Sequence, residues 1–309
     1  MNIGSVNSRF SRLLIFPNVL DFIVMLVLVA LSQMIVVRSA EALGLNFPTV
    51  QEVAAVDHNS GFTLSDAPSG TIPSVEEKLE LARSLMIVYI PAMLLSIASI
   101  LLYRRFRGSS GRIVRFSPAG FNPTLLLCGV IWMISVNIMI EPLLIFMPKA
   151  PDIVGRGFFA LLVTVFIAPF CEEFLCRGVV LESFRAKYGV VWGWIFSSLF
   201  FAIIHAHITA MVNALVIGSI IGYICIRSKS VISAILLHMI NNALALTAIS
   251  FGVGDKPLVS LLPSSKMADI VYLASVAVSL VGLIVLVTGL AAERRAEKRA
   301  AAEKTLHSA

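Results

Sequence analysis

The chain has 309 residues, of which 58% are hydrophobic and 14% are charged, whereas a soluble domain has about 45 to 50% apolar and about 25% charged residues. This composition excludes an ordinary soluble protein. The net charge of +6 would suit a nucleic-acid partner, but the basic residues stand in short clusters between apolar segments. Membrane topology explains such clusters, and no nucleic acid is expected as a partner.

Eight apolar segments predict an all-α, polytopic transmembrane helical bundle. A helix needs about 20 apolar residues to cross a hydrocarbon core of about 30 Å, and it pairs its own backbone polar groups within lipid. The predicted spans are 19–37, 85–103, 124–147, 158–181, 190–205, 211–226, 231–249 and 270–290.

The distribution of basic residues indicates how these spans are oriented. If the N-terminus is cytoplasmic, the cytoplasmic segments hold 16 Lys and Arg residues and the external segments hold 7. Cytoplasmic loops normally carry this excess. The sequence therefore predicts that both termini are cytoplasmic, in a multi-pass protein of a cell membrane such as the bacterial inner membrane or the plasma membrane.

The predicted spans divide the chain into three parts. Residues 1–120 form an N-terminal transmembrane hairpin, whose polar external loop 41–84 includes a short amphipathic helix around 75–83. This loop either shields a site or is a plain connector. Residues 121–290 form a helical core, and residues 291–309, which alternate Ala with charges of both signs, form a charged cytoplasmic tail.

Three charged residues stand in the fourth predicted span, where each costs about 2.5 to 3.5 kcal/mol on insertion scales. Glu173 and Arg177 are at positions i and i+4, so on a helix they can neutralise each other. Glu172 points about 100° away from that pair and has no such partner in its own helix. This difference predicts a structural role for Glu173 and Arg177 and a chemical role for Glu172.

Further polar groups lie on the fifth and seventh predicted spans. Phe201 and His205 are at i and i+4, which places the aromatic ring beside the imidazole, and His238 and Asn242 share a helix face in the same way. Because the chain turns between the fourth and fifth spans, Glu172 and His205 reach a similar depth if the helices run back beside each other. A lone His or Asn in a bundle is more often an interhelical hydrogen-bond partner, but three helices here can direct polar groups into one cavity.

Taken in order, Glu172-Glu173-x-x-x-Arg177, Phe201-x-x-x-His205 and His238-x-x-x-Asn242 resemble the three motifs of a family of intramembrane endopeptidases. This is the CAAX protease and bacteriocin-processing family (CPBP, or Abi), which includes the CAAX prenyl endopeptidase. The resemblance covers about residues 167–243. It implies an intramembrane endopeptidase with residues 121–290 as its catalytic core, acting on a peptide or lipidated protein substrate in the lipid bilayer.

Peptide hydrolysis requires an activated water, a stabilised oxyanion and a proton for the leaving amine. Glu172 with His205 can hold and deprotonate the water, and His238 with Asn242 can donate hydrogen bonds to the oxyanion. This partition is similar to the glutamate-dependent mechanism proposed for the family. The supporting residues of the motifs would be Glu173, Arg177 and Phe201.

The sequence favours no cofactor, but three alternatives stay open. In a zinc-dependent version of the same protease, Glu172, His205 and His238 would be three ligands and water the fourth, although the chain has no His-Glu-x-x-His sequence. A transporter would also bury acids and histidines, but no repeated halves are found. A non-catalytic membrane scaffold or immunity protein is the third alternative. Neither of the last two explains the order of the motifs.

Overall fold

The computed structural model describes residues 16–45, 75–108, 117, 120–148, 156–254 and 256–308. These residues form eight helices, which we number in chain order. They are α1 (Val19–Ala42), α2 (Val75–Phe106), α3 (Pro123–Ile145), α4 (Gly157–Tyr188), α5 (Val190–Ile203), α6 (Ile208–Ser228), α7 (Val231–Ser250) and α8 (Ser265–Ser308).

Seven of these helices are long and apolar enough to cross a membrane. Since the described ranges contain no strand, the predicted all-α polytopic membrane bundle is confirmed. The exception is α5, predicted as a span over 190–205. It has 14 residues, so it is about 21 Å long, which is short of a core of about 30 Å. The chain leaves this helix and turns through Ala206, whose φ is +58°, before α6 begins.

Helices α2 and α8 extend beyond their predicted spans. The predicted loop 41–84 lies mostly in residues 46–74, outside the described ranges, but residues 75–84 form the first turns of α2. Helix α8 continues without interruption through residues 291–308. The charged segment at the end of the chain is therefore a helical extension of the last span.

Five helices have one end each on the same side of the bundle, which we call the basic end because three of them finish there in Arg or Lys residues. It comprises the starts of α1 and α5 and the ends of α2, α4 and α6. There Arg107 Nε, one residue beyond the end of α2, donates to Asp21 Oδ1 of α1 at 2.8 Å. Lys187 Nζ of α4 donates to the carbonyl of Pro17 at 2.8 Å. These contacts join α1, α2 and α4 on the same side of the bundle.

The extension of α8 also binds the basic end. Arg185 Nε donates to Glu297 Oε1 at 2.6 Å, and Arg227 Nη1 donates to Glu293 Oε1 at 2.8 Å. Glu297 Oε2 accepts a hydrogen bond from the backbone N–H of Val190 at 2.9 Å. This N–H belongs to the first turn of α5 and has no partner within that helix, so Glu297 caps α5 from a distant part of the chain.

Two clusters of buried side chains hold the helices of the bundle together. Helices α1, α2, α4 and α5 pack through residues such as Phe22, Ile100, Phe184 and Phe200. Helices α3, α6, α7 and α8 pack through residues such as Met133, Ile221, Leu237 and Leu286. The exposed face of α8 is also apolar and includes Leu280, Ile284 and Val287, as expected for contact with lipid chains.

Helix α4 departs from α-helical hydrogen bonding over Leu162–Ile167 and again over Phe174–Leu181, where it is π-helical. In a π-helix a carbonyl accepts from the N–H five residues further on. For Thr164 that residue is Pro169, which has no N–H. The carbonyl of Thr164 instead accepts from Asn242 Nδ2 of α7 at 2.9 Å, so the irregular backbone provides an anchor for a motif residue.

Candidate active site

A buried ion pair lies inside the bundle. Arg177 Nη1 donates to Glu173 Oε1 at 3.0 Å, and both side chains are fully buried. Arg177 Nη2 donates to the carbonyl of Gly218 on α6 at 2.7 Å. The structure thus contains the i, i+4 pair expected from the sequence, and the pair also ties α4 to α6.

The ring of Phe201 is the centre around which the charged and aromatic groups of the site are arranged. Its centroid lies 4.5 Å from Arg177 Cζ, 4.8 Å from the ring of His205 and 5.3 Å from the ring of His238. A Cβ at Gly218 would lie 2.6 Å from Phe201 Cδ1. Because Gly218 has no side chain, Phe201 can pack directly against α6 and hold both imidazoles in place.

His238 contacts both adjacent carboxylates of α4. Its Nδ1 lies 3.0 Å from Glu173 Oε1, and its Nε2 lies 4.0 Å from Glu172 Oε2. An ionised carboxylate can only accept hydrogen bonds, so Nδ1 is the donor to Glu173. The other ring nitrogen, Nε2, is then the atom directed towards Glu172.

Glu172 and Glu173 have different surroundings although they are neighbours in the sequence. The Glu173 side chain is fully buried, whereas 14% of the Glu172 side chain is exposed. The hydroxyl of Tyr89, on α2, donates to Glu172 Oε1 at 2.7 Å. Glu172 is therefore held by another helix and still has access to open space.

That open space is a cavity of about 60 Å³ between α1, α2, α4 and the end of α5. Its wall includes Glu172 and His205, together with Gln33 of α1 and Tyr89 and Met93 of α2. A water molecule requires about 10 to 15 Å³ on this scale. The cavity therefore has room for water beside the Glu172 carboxylate and the His205 imidazole.

The ring of His205 is oriented by the last turn of α5. Its Nδ1 lies 2.7 Å from the backbone carbonyl of Phe201, and a carbonyl can only accept, so Nδ1 carries a hydrogen. In a neutral imidazole the other nitrogen, Nε2, is then a hydrogen-bond acceptor. His205 can therefore accept a hydrogen bond from a water molecule.

Asn242 lies one helical turn from His238 but does not line the cavity described above. Its Nδ2 donates to the Thr164 carbonyl, and its Oδ1 accepts from Asn241 Nδ2 at 3.1 Å. An amide nitrogen has two hydrogens, so Nδ2 can make one further bond. The structure thus brings Glu172, His205 and His238 together and places Asn242 beside them.

Two polar residues of the cavity wall, Tyr89 and Gln33, were missed by the sequence analysis. Both lie on helices that carry none of the three motifs. Their only signal in the sequence is a polar side chain within an apolar span, which is a weaker indication than a charge because the insertion cost is smaller.

The proposed zinc ligands do not fit a metal ion as they are arranged. No group of three His, Cys, Asp or Glu side chains in the described part of the chain could hold a metal. His238 directs Nδ1 to Glu173, and its Nε2 is 4.0 Å from Glu172 Oε2. With zinc at its usual distance of about 2.0 to 2.2 Å from both atoms, the ion would lie almost on the line that joins them, whereas zinc ligands are arranged tetrahedrally.

The fold and the site define a polytopic membrane protein with Glu and His side chains beside a cavity between the helices. Residues 155–244, which include α4, α5, α6 and most of α7, match the family model described as Type II CAAX prenyl endopeptidase Rce1-like. The family resemblance predicted from the three motifs is therefore confirmed over this segment, and the match supports an intramembrane protease of the CAAX type. Neither the curated proteins nor the solved structures gave a match.

Proposed function

We propose that this protein is an intramembrane endopeptidase in which Glu172 and His205 activate a water molecule. The water attacks a peptide bond of a membrane-associated or lipidated substrate. The observation that carries this proposal is the cavity of about 60 Å³ that Glu172 and His205 line together, within the segment that matches the protease family.

In this mechanism His205 Nε2 and Glu172 Oε2 hold the water between them. Glu172 accepts a proton from the water as its oxygen bonds to the carbonyl carbon of the substrate, which forms a tetrahedral oxyanion. When the oxyanion collapses, the C–N bond breaks and Glu172 returns the proton to the leaving amine. A general base of this kind contributes about 10² to 10⁴ in rate.

His238 and Asn242 would stabilise the oxyanion by hydrogen bonds. Asn242 has one amide hydrogen beyond the one it gives to the Thr164 carbonyl. His238 Nε2 lies 4.0 Å from Glu172 Oε2, and it can donate when the ring carries both hydrogens. Removal of one oxyanion donor typically costs about 10² to 10³ in kcat.

The alternatives are less well supported. The zinc-dependent version needs Glu172, His205 and His238 in a metal-binding arrangement, and no such arrangement of three His, Cys, Asp or Glu side chains is found among the described residues. The family match favours neither a transporter nor a non-catalytic scaffold. The cytoplasmic orientation of the basic end stays a prediction from the excess of Lys and Arg.

The proposal is tested by Glu172→Gln, with Glu182→Gln on the same helix as the matched control. The purified proteins are incubated in detergent with quenched fluorescent peptides, with and without a lipidated cysteine. We expect Glu172→Gln to abolish cleavage with an unchanged melting temperature, because the amide cannot accept the proton, and Glu182→Gln to keep full activity.

Wild-type turnover by Glu172→Gln would refute the assignment of the base. A zinc chelator is the second arm of the experiment. We expect no effect of the chelator on the wild-type protein, whereas inhibition that added Zn²⁺ reverses would establish the zinc-dependent alternative.

A further inference from the structure

The hydrogen bond between Tyr89 and Glu172 connects the segment that matches the protease family to a helix outside it. Tyr89 lies on α2, whereas the family match begins at residue 155. The hydroxyl donates to Glu172 Oε1 at 2.7 Å. Tyr89 also shares a face of α2 with Met93, and both side chains line the cavity.

The two oxygens of Glu172 therefore have different neighbours. Oε1 is occupied by the Tyr89 hydroxyl, whereas Oε2 is 4.0 Å from His238 Nε2. Within its own helix Glu172 has no basic partner comparable to the Arg177 that holds Glu173. A long side chain facing a cavity can adopt several rotamers, and fixing it in one costs conformational entropy. The Tyr89 bond offsets that cost and selects one carboxylate orientation.

We propose that Tyr89 is a positioning residue for the general base: it holds Glu172 Oε1 so that Oε2 faces the water and the oxyanion groups. This inference rests on the proposed function of Glu172. It means that the catalytic geometry is completed by the N-terminal helices and is not contained in the matched segment alone. Groups misplaced by about 1 Å can lose about 10²-fold in rate.

The chain offers a matched control on the same helix. Tyr103 of α2 donates its hydroxyl to the Asp21 carboxylate of α1 at 2.6 Å, at the basic end and away from the cavity. Tyr89→Phe and Tyr103→Phe each remove one tyrosine hydroxyl from a carboxylate and leave the ring in place. Only Tyr89→Phe removes a hydroxyl from the carboxylate of the proposed base, Glu172.

The first measurement is turnover of the quenched fluorescent peptide together with the melting temperature. We expect Tyr89→Phe to lower kcat by about 10- to 100-fold with little change in KM or melting temperature. Tyr103→Phe is expected to leave the kcat of the folded protein unchanged, because its hydroxyl is bonded to Asp21 and not to the proposed base. A wild-type kcat in Tyr89→Phe would overturn the proposal.

The second measurement does not depend on a substrate. The intact protein is treated with a hydrophobic carbodiimide, which modifies carboxyl groups, and modification of Glu172 is followed by mass spectrometry. Because the Tyr89 hydroxyl occupies Oε1, we expect Glu172 to react faster in Tyr89→Phe and at the wild-type rate in Tyr103→Phe. An unchanged rate in Tyr89→Phe would also overturn the proposal.

These results separate the two proposals. If Glu172→Gln keeps its activity, the proposed function fails and the inference fails with it. If Glu172→Gln is inactive while Tyr89→Phe has a wild-type kcat and a wild-type carbodiimide rate, the proposed function stands and only the role of Tyr89 is refuted.

Discussion

At the scale of single residues, two carboxylates that are neighbours in the sequence have different surroundings. Glu173 is fully buried and bonded to Arg177 and His238, whereas Glu172 is partly exposed to the cavity and bonded to Tyr89. A buried carboxylate with charged partners is held in place, and one beside water can exchange protons. The difference supports a structural role for Glu173 and a chemical role for Glu172.

Replacing Glu173 should therefore act first on stability. Glu173→Gln leaves the Arg177 charge buried without its counter-charge, and breaking a buried pair in this way costs about 3 to 5 kcal/mol. We expect a clear fall in melting temperature and in expression, followed by a fall in activity. The control is Glu41→Gln in the exposed Arg38–Glu41 pair, which should change the melting temperature little. Normal stability of Glu173→Gln without activity would instead make Glu173 a catalytic residue.

The sequence predicts residue contacts only where the spacing within one helix determines them. The Glu173–Arg177 and Phe201–His205 contacts follow from i, i+4 geometry. The Tyr89–Glu172 bond joins residues 83 positions apart, and nothing in a helical pattern indicates which face of α2 meets α4. Side-chain contacts between helices depend on packing angles that periodicity does not contain.

At the scale of single elements, the irregular backbone of α4 is the feature that bears most on the site. Its two π-helical stretches flank the turn that carries Glu172 and Glu173. Pro169 indicates from the sequence that one backbone hydrogen bond of the helix is missing. An α-helix and a short π-helical stretch, however, have much the same pattern of apolar residues. The π segments could not be predicted for this reason.

Pro169→Ala should reduce activity without reducing stability. Alanine restores an N–H that can bond the Thr164 carbonyl, and that N–H then competes with Asn242 Nδ2. Alanine is also the better residue for a helix. We expect an equal or higher melting temperature. We also expect kcat to fall by about 10-fold, which is less than the loss caused by removing an oxyanion donor because Asn242 would be displaced and not removed.

The control for this prediction is Pro142→Ala, which replaces the proline inside α3. It restores an N–H in a helix that carries none of the motif residues, so kcat should not change. Wild-type turnover by Pro169→Ala would show that the position of Asn242 does not depend on the Thr164 carbonyl.

At the scale of the whole molecule, the extension of α8 holds helices together at the basic end. Glu297 binds Arg185 of α4 and caps the first turn of α5, and α5 carries Phe201 and leads to His205. We expect Glu297→Gln to lower the melting temperature by a few degrees, because a charged cap and an ion pair together contribute about 1 to 2 kcal/mol.

Glu303→Gln is the matched control for Glu297, since Glu303 lies further along α8 and is exposed. It should melt at the wild-type temperature. If Glu297→Gln and Glu303→Gln have the same melting temperature, the contacts of Glu297 with α4 and α5 do not stabilise the protein.

The fold class follows from composition and segment length alone, because the cost of an unpaired backbone in lipid leaves only helices for apolar runs of this length. The length of α5 does not follow in the same way. Its apolar residues continue to Ile204 in the sequence, so hydropathy predicts a longer span. The end of α5 is instead set by the turn at Ala206, whose left-handed backbone is rare for a residue other than glycine and cannot be inferred from hydropathy.

The short length of α5 has a consequence for the surrounding bilayer. A helix of about 21 Å leaves roughly 9 Å of a hydrocarbon core of about 30 Å unspanned above its end. The turn that follows bonds the N–H groups of Ile204, His205 and Ala206 to carbonyls of the last turn of α5, so this end of the short helix can lie within the core. A thinner bilayer, or one dimpled at this point, relieves the mismatch and shortens the distance that a water molecule travels to His205. The acyl-chain length of the host membrane would thus be a variable of the proposed reaction, in the same sense as pH or temperature.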